Sequence, residues 1–130
     1  MKRSKLKRIS KMPISRLQRL LWTECKRIVR KLHGNVCYTC GAGNLSSSNW
    51  QTGHMWSKAS VGAFLKYDVR ILRPQCMTCN LWQGGRGADF YSRMLKEIGQ
   101  QKMHELEKDR QVTVKAYDFY VELLEKYKQL

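Results

Sequence analysis

Apolar residues recur at helical spacing from Leu17 onward: Leu20, Leu21, Cys25, Ile28, Val29 and Leu32 line one stripe of a helix. Pro13 and Ser15 mark its start, with Ser15 and Gln18 as a capping box, and Gly34 marks its end. Arg16, Arg19, Lys26, Arg27, Arg30 and Lys31 fall mostly off the stripe, so the outer face of this helix is basic. Cys25 reads as a small buried apolar residue, and His33 as a group suited to the negative end of the helix. Between residues 35 and 86 the helical period is lost. There "GAGNLSSSN" (41–49) reads as a loop, "WQTGHMW" (50–56) as a short strand, and the alternating "YDVRIL" (67–72) as a second strand stopped by Pro74. "CMTCNLWQ" (76–83) then opens a helix. From Ala88 the period returns in Phe90, Tyr91, Met94, Leu95 and Ile98, and stops at Gly99. A short helical piece around Met103 and Leu106 follows, with His104 on its surface. Thr113 is the expected cap of a last helix, with Tyr117, Tyr120, Val121, Leu124 and Tyr127 inward and Val112 and Tyr117 as a hydrophobic staple.

This pattern predicts one α+β domain. Residues 1–12 form a basic arm, disordered until bound; 13–34 a basic helix; 35–87 a central module; 88–130 the C-terminal helices. No apolar run approaches the ~20 residues of a membrane span. The basic opening MKRSKLKRISK leads into no apolar signal region, so the expectation is a soluble protein of the cytoplasm.

Charge sharpens the picture. The net charge is +15, and residues 1–33 carry 12 Lys or Arg against Glu24 alone, while residues 94–130 carry seven of each sign. A basic front half with a neutral tail is the footprint of a polyanion-binding surface, and nucleic acid is the expected partner. Composition does not separate DNA from RNA.

Four of the five cysteines form two Cys-x2-Cys pairs, Cys37/Cys40 and Cys76/Cys79. With no export signal a disulfide framework is not expected. Two such turns supply the four thiolates of a closed tetrahedral zinc site, which has no open position for a reactive water. Such a site is structural. Thirty-five residues separate Cys40 from Cys76, so the metal clamps the ends of a long segment that contains His54, flanked by Trp50 and Trp56. A neutral imidazole held in place can accept a proton near pH 7. The bland alternative is a histidine packed between the two tryptophans.

The order CxxC, Gly53-His54 on a first strand, a second strand, then CxxC with Asn80 on a helix is that of HNH-type ββα-metal nucleases. Moreover, "CYTCG", "SNWQTGHMW", "YDVRILRPQCMTCNLWQGG" and "FYSRMLKEIGQQKMHELE" together resemble the NinG/Rap recombination nucleases of lambdoid phages, from about residue 15 onward. The resemblance implies a zinc-stapled ββα-metal (HNH-like) module flanked by N-terminal and C-terminal helices. It implies a phage-encoded, metal-dependent, structure-selective endonuclease that cuts branched recombination intermediates, including Holliday junctions, in the bacterial host. By position it makes His54 the general base and Asn80 the helix-borne residue of a Mg²⁺ or Mn²⁺ site. Acids are scarce here, with Asp68 and Asp89 alone between Cys37 and Arg93, and Asp68 is the candidate carboxylate for that ion, directly or through water. Cys37, Cys40, Cys76 and Cys79 would hold structural zinc. Two positions depart from the pattern: Ile71 stands where the middle Asn of HNH nucleases braces the histidine loop, and Gly85-Arg86 where Gly-Asn is common.

Arg70, Arg73 and Arg86, near the expected site, are candidates for phosphate contact together with the basic residues of the first helix. Trp82 is the tryptophan best placed to stack on a base. Symmetric cutting of a four-way junction needs two active sites, hence a homodimer, for which the tyrosine face of the last helix is one candidate surface. Two rival readings remain: a zinc-containing nucleic-acid-binding module that cleaves nothing, and an HNH enzyme that nicks linear duplex DNA.

Overall fold

The computed structural model describes residues 12–130. The expected basic arm lies outside the described residues except for Met12. The first element, α1 (Ile14–His33), buries Leu17, Leu21, Cys25, Ile28 and Val29 as its stripe requires. Burying each large aliphatic side chain contributes roughly 1.5–3 kcal/mol, which is what holds so basic a helix to the core. Its start differs from the capping box read from Ser15 and Gln18. Pro13 is the N-cap and makes no side-chain cap; its carbonyl accepts from Arg16 and Leu17 instead. Ser15 therefore already lies within the first turn. Gly34, at φ 70°, closes the helix with its N–H on the Arg30 carbonyl, while Leu32 in the last turn is 63% exposed.

Two short strands, β1 (Gln51–His54) and β2 (Leu72–Gln75), pair antiparallel with Gln51 opposite Gln75 and His54 opposite Leu72. The second strand begins where the sequence reading ended it. Val69–Ile71 form a 3₁₀ turn, because the Asp68 carboxylate accepts the Arg70 N–H and closes the backbone. Pro74 lies inside the strand rather than stopping it. Its carbonyl points away from β1 and accepts from Tyr38, so the N–H that proline lacks would also have faced away from the ladder.

Gly53 is required by close packing. A Cβ there would sit 1.9 Å from Gln75 Oε1 and 2.8 Å from Gln75 Cγ. Gln75 is wholly buried and tied by Nε2 to the Thr39 hydroxyl and the Gly85 carbonyl, so it cannot move aside freely. Gly53→Ala is expected to destabilise the protein by roughly 1–3 kcal/mol, to be read as a lower denaturation midpoint at unchanged m-value.

The segment between the strands contains the four-residue helix α2 (Ala63–Lys66). After β2 a five-residue π-helical turn, Thr78–Trp82, stands where a longer helix was expected; Gly84, Gly85 and Arg86 at positive φ break it off. Then come α3 (Gly87–Ile98), α4 (Gln100–Asp109) and α5 (Ala116–Lys128). α4 is a full ten-residue helix rather than a short piece. α5 starts at Ala116 without a side-chain cap, so Thr113 is not its cap, and Val112, 40% exposed, staples nothing.

α1 and α5 pack against each other, and β2 packs against α1. Tyr120, Val121, Leu124 and Tyr127 face this core. The Tyr127 hydroxyl donates to the Tyr67 carbonyl at 2.8 Å and accepts from the Val69 N–H at 3.2 Å, joining α5 to the chain entering β2. Arg27 of α1 donates to the Tyr127 and Leu130 carbonyls at the negative end of α5. The tyrosine face expected to mediate dimerisation is therefore largely internal. Tyr120 and Tyr127 are 2% and 4% exposed, and the half-buried Tyr117 donates to the Met12 carbonyl.

Candidate metal centre and histidine site

The hydrogen bond from Tyr38 to Pro74 lays the first cysteine turn along the outer edge of β2, and the second turn follows directly from the end of that strand. The result is a cluster. The Sγ atoms of Cys37, Cys40, Cys76 and Cys79 all lie within 4.8 Å of one another, and Cys40 and Cys76 Sγ are 3.8 Å apart. A zinc ion with Zn–S bonds of about 2.3 Å needs tetrahedral S···S edges of ~3.8 Å, so this donor set can hold zinc. All four thiols are free. The surroundings act differently on the four sulfurs. Against the pull of the Ala42 N–H, burial and the neighbouring cysteines push the Cys40 thiol up to about 12, and burial pushes Cys76 up, while other contacts favour thiolate. The Cys79 N–H points at Cys76 Sγ and an Arg86 guanidinium N–H at Cys79 Sγ. Burial pushes the Cys37 thiol up. The N–H of Cys76, the Thr39 hydroxyl and the N–H groups of Cys40 and Thr39 outweigh it and bring the thiol down to about 6. Cys25, outside the cluster, donates to the Tyr67 carbonyl and is pushed up to about 12, first by burial and then by Asp68. It is an inert core thiol, as expected.

At the other end of the hairpin, His54 is fixed on two counts. Its ring stacks on Trp22 of α1, with centroids 5.2 Å apart and planes 10° from parallel. Nε2–H donates to the Lys66 carbonyl at 3.3 Å. A carbonyl can only accept, so Nε2 carries the proton and Nδ1 the lone pair. Lys58 sits 4.0 Å from the Trp22 ring centroid. Burial first, and then Lys58, lower the imidazole to about 4, against the opposing pull of the Lys66 carbonyl. The ring is neutral at pH 7. The aromatic neighbour is therefore Trp22. Trp50 donates to the Gly34 carbonyl under Arg30, and Trp56 packs with Tyr91 and Arg110.

This predicts a pH signature. The folded value lies below the ordinary 6.5, so between about pH 4 and 6.5 the unfolded chain binds the extra proton. His54 contributes stability that is fully present above pH 6.5 and is lost as pH falls through that window, at most roughly 3 kcal/mol. Imidazole NMR signals of His54 in zinc-loaded protein should stay flat from pH 8 to 5 and turn over near 4. A midpoint near 6.5 would mean that the ring is in water.

Of the other expected cation ligands, Asn80 lies at the far end of β1 and Asp68 is engaged by an arginine. Asn80 Nδ2 donates to Gln51 Oε1 at 2.8 Å. Gln51 and His54 are at opposite ends of β1, ~10 Å apart at the rise of a strand, and three residues apart they point to opposite faces. Asp68 binds Arg70 through both oxygens. His54, Asn80 and Asp68 are thus not gathered round one point. Of the arginines, Arg73 is 5% exposed and paired with Glu97 at 2.6 Å. It is a core link between β2 and α3 rather than a free phosphate contact. Arg70 bridges Asp68 and Asp109, and Arg86 pairs with Asp89. Arg16, Arg19, Lys26, Arg27, Arg30 and Lys31 are exposed, as expected of the basic face.

Three contributors to the histidine site escaped the sequence reading: Trp22, Lys58 and the Lys66 carbonyl. Trp22 had a signal, since it stands beside Leu21 and three residues before Cys25, at the border of the apolar stripe. Among the described residues no helix is long and apolar enough to cross a membrane.

Comparison with known proteins adds a family. Residues 1–130 match the family model described as Bacteriophage Lambda NinG protein. The chain is similar to Protein ninG of Escherichia phage 933W, 31% identical over 71 residues, which is 55% of this chain and 34% of that protein. It is similar to Protein ninG of Salmonella phage P22, 30% identical over 73 residues, 56% of this chain and 34% of that protein. The match to Protein ninG of Enterobacteria phage H19B is 30% over 66 residues, 51% and 32% respectively. The chain thus spans about a third of the length of these relatives. No solved structure matches.

Proposed function

Because this chain belongs to the NinG family of lambdoid phage proteins, we propose that it is an HNH-like, structure-selective DNA endonuclease acting on branched recombination intermediates such as Holliday junctions in the cytoplasm of the bacterial host. The observation that carries this reading is the state of His54. Its ring is held by Trp22 and the Lys66 carbonyl so that the unprotonated Nδ1 is the basic atom, at the end of a hairpin whose other end meets the four-cysteine cluster. Nδ1 takes the proton of a water as its oxygen bonds to phosphorus, and the bond from phosphorus to the leaving sugar oxygen breaks. Near Ile71, where HNH nucleases carry an Asn, the backbone supplies the bracing: the Met55 N–H donates to the Ile71 carbonyl at 2.9 Å.

The exposed basic face of α1 grips neighbouring phosphates. Zinc supplies the clamp. The resemblance also implies Mg²⁺ or Mn²⁺. His54, Asn80 and Asp68 do not form one site for such an ion as they stand, so no step is assigned to it. Cutting both strands of a junction symmetrically calls for a homodimer formed on a surface other than the internal tyrosines.

One observation favours the second reading, a zinc-containing nucleic-acid-binding module without cleavage: the His54 ring is stacked and lowered to about 4, which makes it a weak base. The test is cleavage of a four-way junction and a sequence-matched linear duplex by zinc-loaded protein with Mg²⁺ or Mn²⁺, wild type against His54→Ala. Cutting of the junction that vanishes in the variant supports the enzyme. Equal cutting of both substrates points to a nicking enzyme on duplex DNA. Binding without cutting by either protein leaves the binding module.

A further inference from the structure

Trp82 is 75% exposed and its neighbour Leu81 58% exposed, side by side on the turn that follows the zinc ligand Cys79. Single exposed aliphatics are ordinary; a bare indole with a bare leucine beside it on a tightly held turn is not. The turn is held from behind. The Gly85 N–H donates to the Cys79 carbonyl, the Gln83 N–H to the Thr78 carbonyl, and the buried Gln75 amide to the Gly85 carbonyl. Gly84, Gly85 and Arg86 take successive positive φ values, which turns the chain sharply back after Trp82. The other three tryptophans all have ring or cation partners within the chain.

The same loop borders a cleft of about 400 Å³ lined by Thr39, Arg86, Ser92, Arg93 and Lys96, with Asp89 as its one acid. Hydroxyl groups and cations in an open cleft suit a phosphate backbone. A second copy seated here would set another cleft of three cations and one acid against this one, which disfavours self-association at this face.

We propose that Trp82, supported by Leu81, stacks on an unpaired or splayed base of branched DNA while the Thr39–Arg86–Arg93–Lys96 cleft holds the adjacent backbone. This rests on the nucleic-acid reading above and adds the element that tells a branch point from continuous duplex. A duplex has its bases stacked and offers an indole nothing, whereas a branch offers a free base face.

The experiment uses zinc-loaded protein without added Mg²⁺ or Mn²⁺, a four-way junction carrying 2-aminopurine at the branch, and a matched linear duplex. Wild type, Trp82→Ala and Trp82→Phe are compared. The wild type should prefer the junction and quench 2-aminopurine. Trp82→Ala should lose roughly ten- to a hundredfold in junction affinity, little on the duplex, and the quenching. Trp82→Phe should retain most of both. Equal loss on both DNAs, no loss, unchanged quenching in Trp82→Ala, or a preference for single-stranded RNA over the junction overturns the proposal. So does a variant whose only change is its oligomeric state in sedimentation. Cleavage is scored separately with Mg²⁺ or Mn²⁺. A wild type that binds the junction through Trp82 but never cuts sinks the nuclease reading and keeps the stacking role; a wild type that cuts, with Trp82→Ala indistinguishable in affinity and quenching, does the reverse.

Discussion

Cys79→Ser is expected to release the metal and unfold the central module. Cys79 is 2% exposed and its thiol closes a cluster whose sulfurs are within 4.8 Å of one another. Around that cluster the chain has little else to rely on. β1 and β2 are four residues each, and most of residues 35–50 is loop. A two-stranded hairpin is marginal alone. Structural zinc supplies about 10–16 kcal/mol in small zinc-finger peptides, as much as the whole stability of an ordinary domain, about 5–15 kcal/mol. The loss should propagate, because β2 packs on α1 and the segment entering it is joined to α5 through Tyr127. Zinc content should fall from about one ion per chain to a small fraction, and the cooperative melt followed by circular dichroism should disappear. Chelation of the wild type should do the same. Cys25→Ala is the control: it removes a buried thiol outside the cluster, costs about 1–2 kcal/mol, and should keep zinc. A metal-free protein that melts where the loaded one does would show that the four sulfurs clamp nothing.

The second large effect concerns His54. With His54 as the base, His54→Ala should lower the cleavage rate by about 10²–10⁴ and leave junction affinity within about twofold, since the cations and the tryptophan proposed to bind DNA lie elsewhere. The ring is stacked on Trp22, so the alanine variant also loses packing, and His54→Gln keeps a donor for the Lys66 carbonyl. Both variants should fall together in rate while the glutamine melts closer to wild type. A rate that follows thermal stability rather than the loss of the imidazole would assign the ring a structural role only.

How the chain encodes these features differs from one to the next. The stripe of α1 was legible because Leu17, Leu21, Cys25, Ile28 and Val29 repeat with the helix itself, and burial followed. The cysteine cluster was legible because two residues between cysteines suffice to turn both thiols to one point. Helix starts were misread: Ser15, Thr113 and Val112 have capping or stapling chemistry, but α1 begins at a proline carbonyl and α5 past Lys115. The alternation of "YDVRIL" (67–72) has the strand period, yet β2 is Leu72–Gln75, starting five residues later, because the Asp68 carboxylate curls the preceding backbone into a turn.

What the sequence alone determined is local: the helical faces, the basic front, the two cysteine turns and the glycine before His54. What only the tertiary structure decided is long-range. It sets which face of β1 the imidazole occupies, that a tryptophan 32 residues earlier covers it, that Arg73 is buried on Glu97, and that Trp82 is left bare. The physical reason is register. A shift of one residue in a strand sends each side chain to the opposite face, and the pairing that sets it depends on where α1, the zinc turns and α3 close on the hairpin, which no spacing within one segment records.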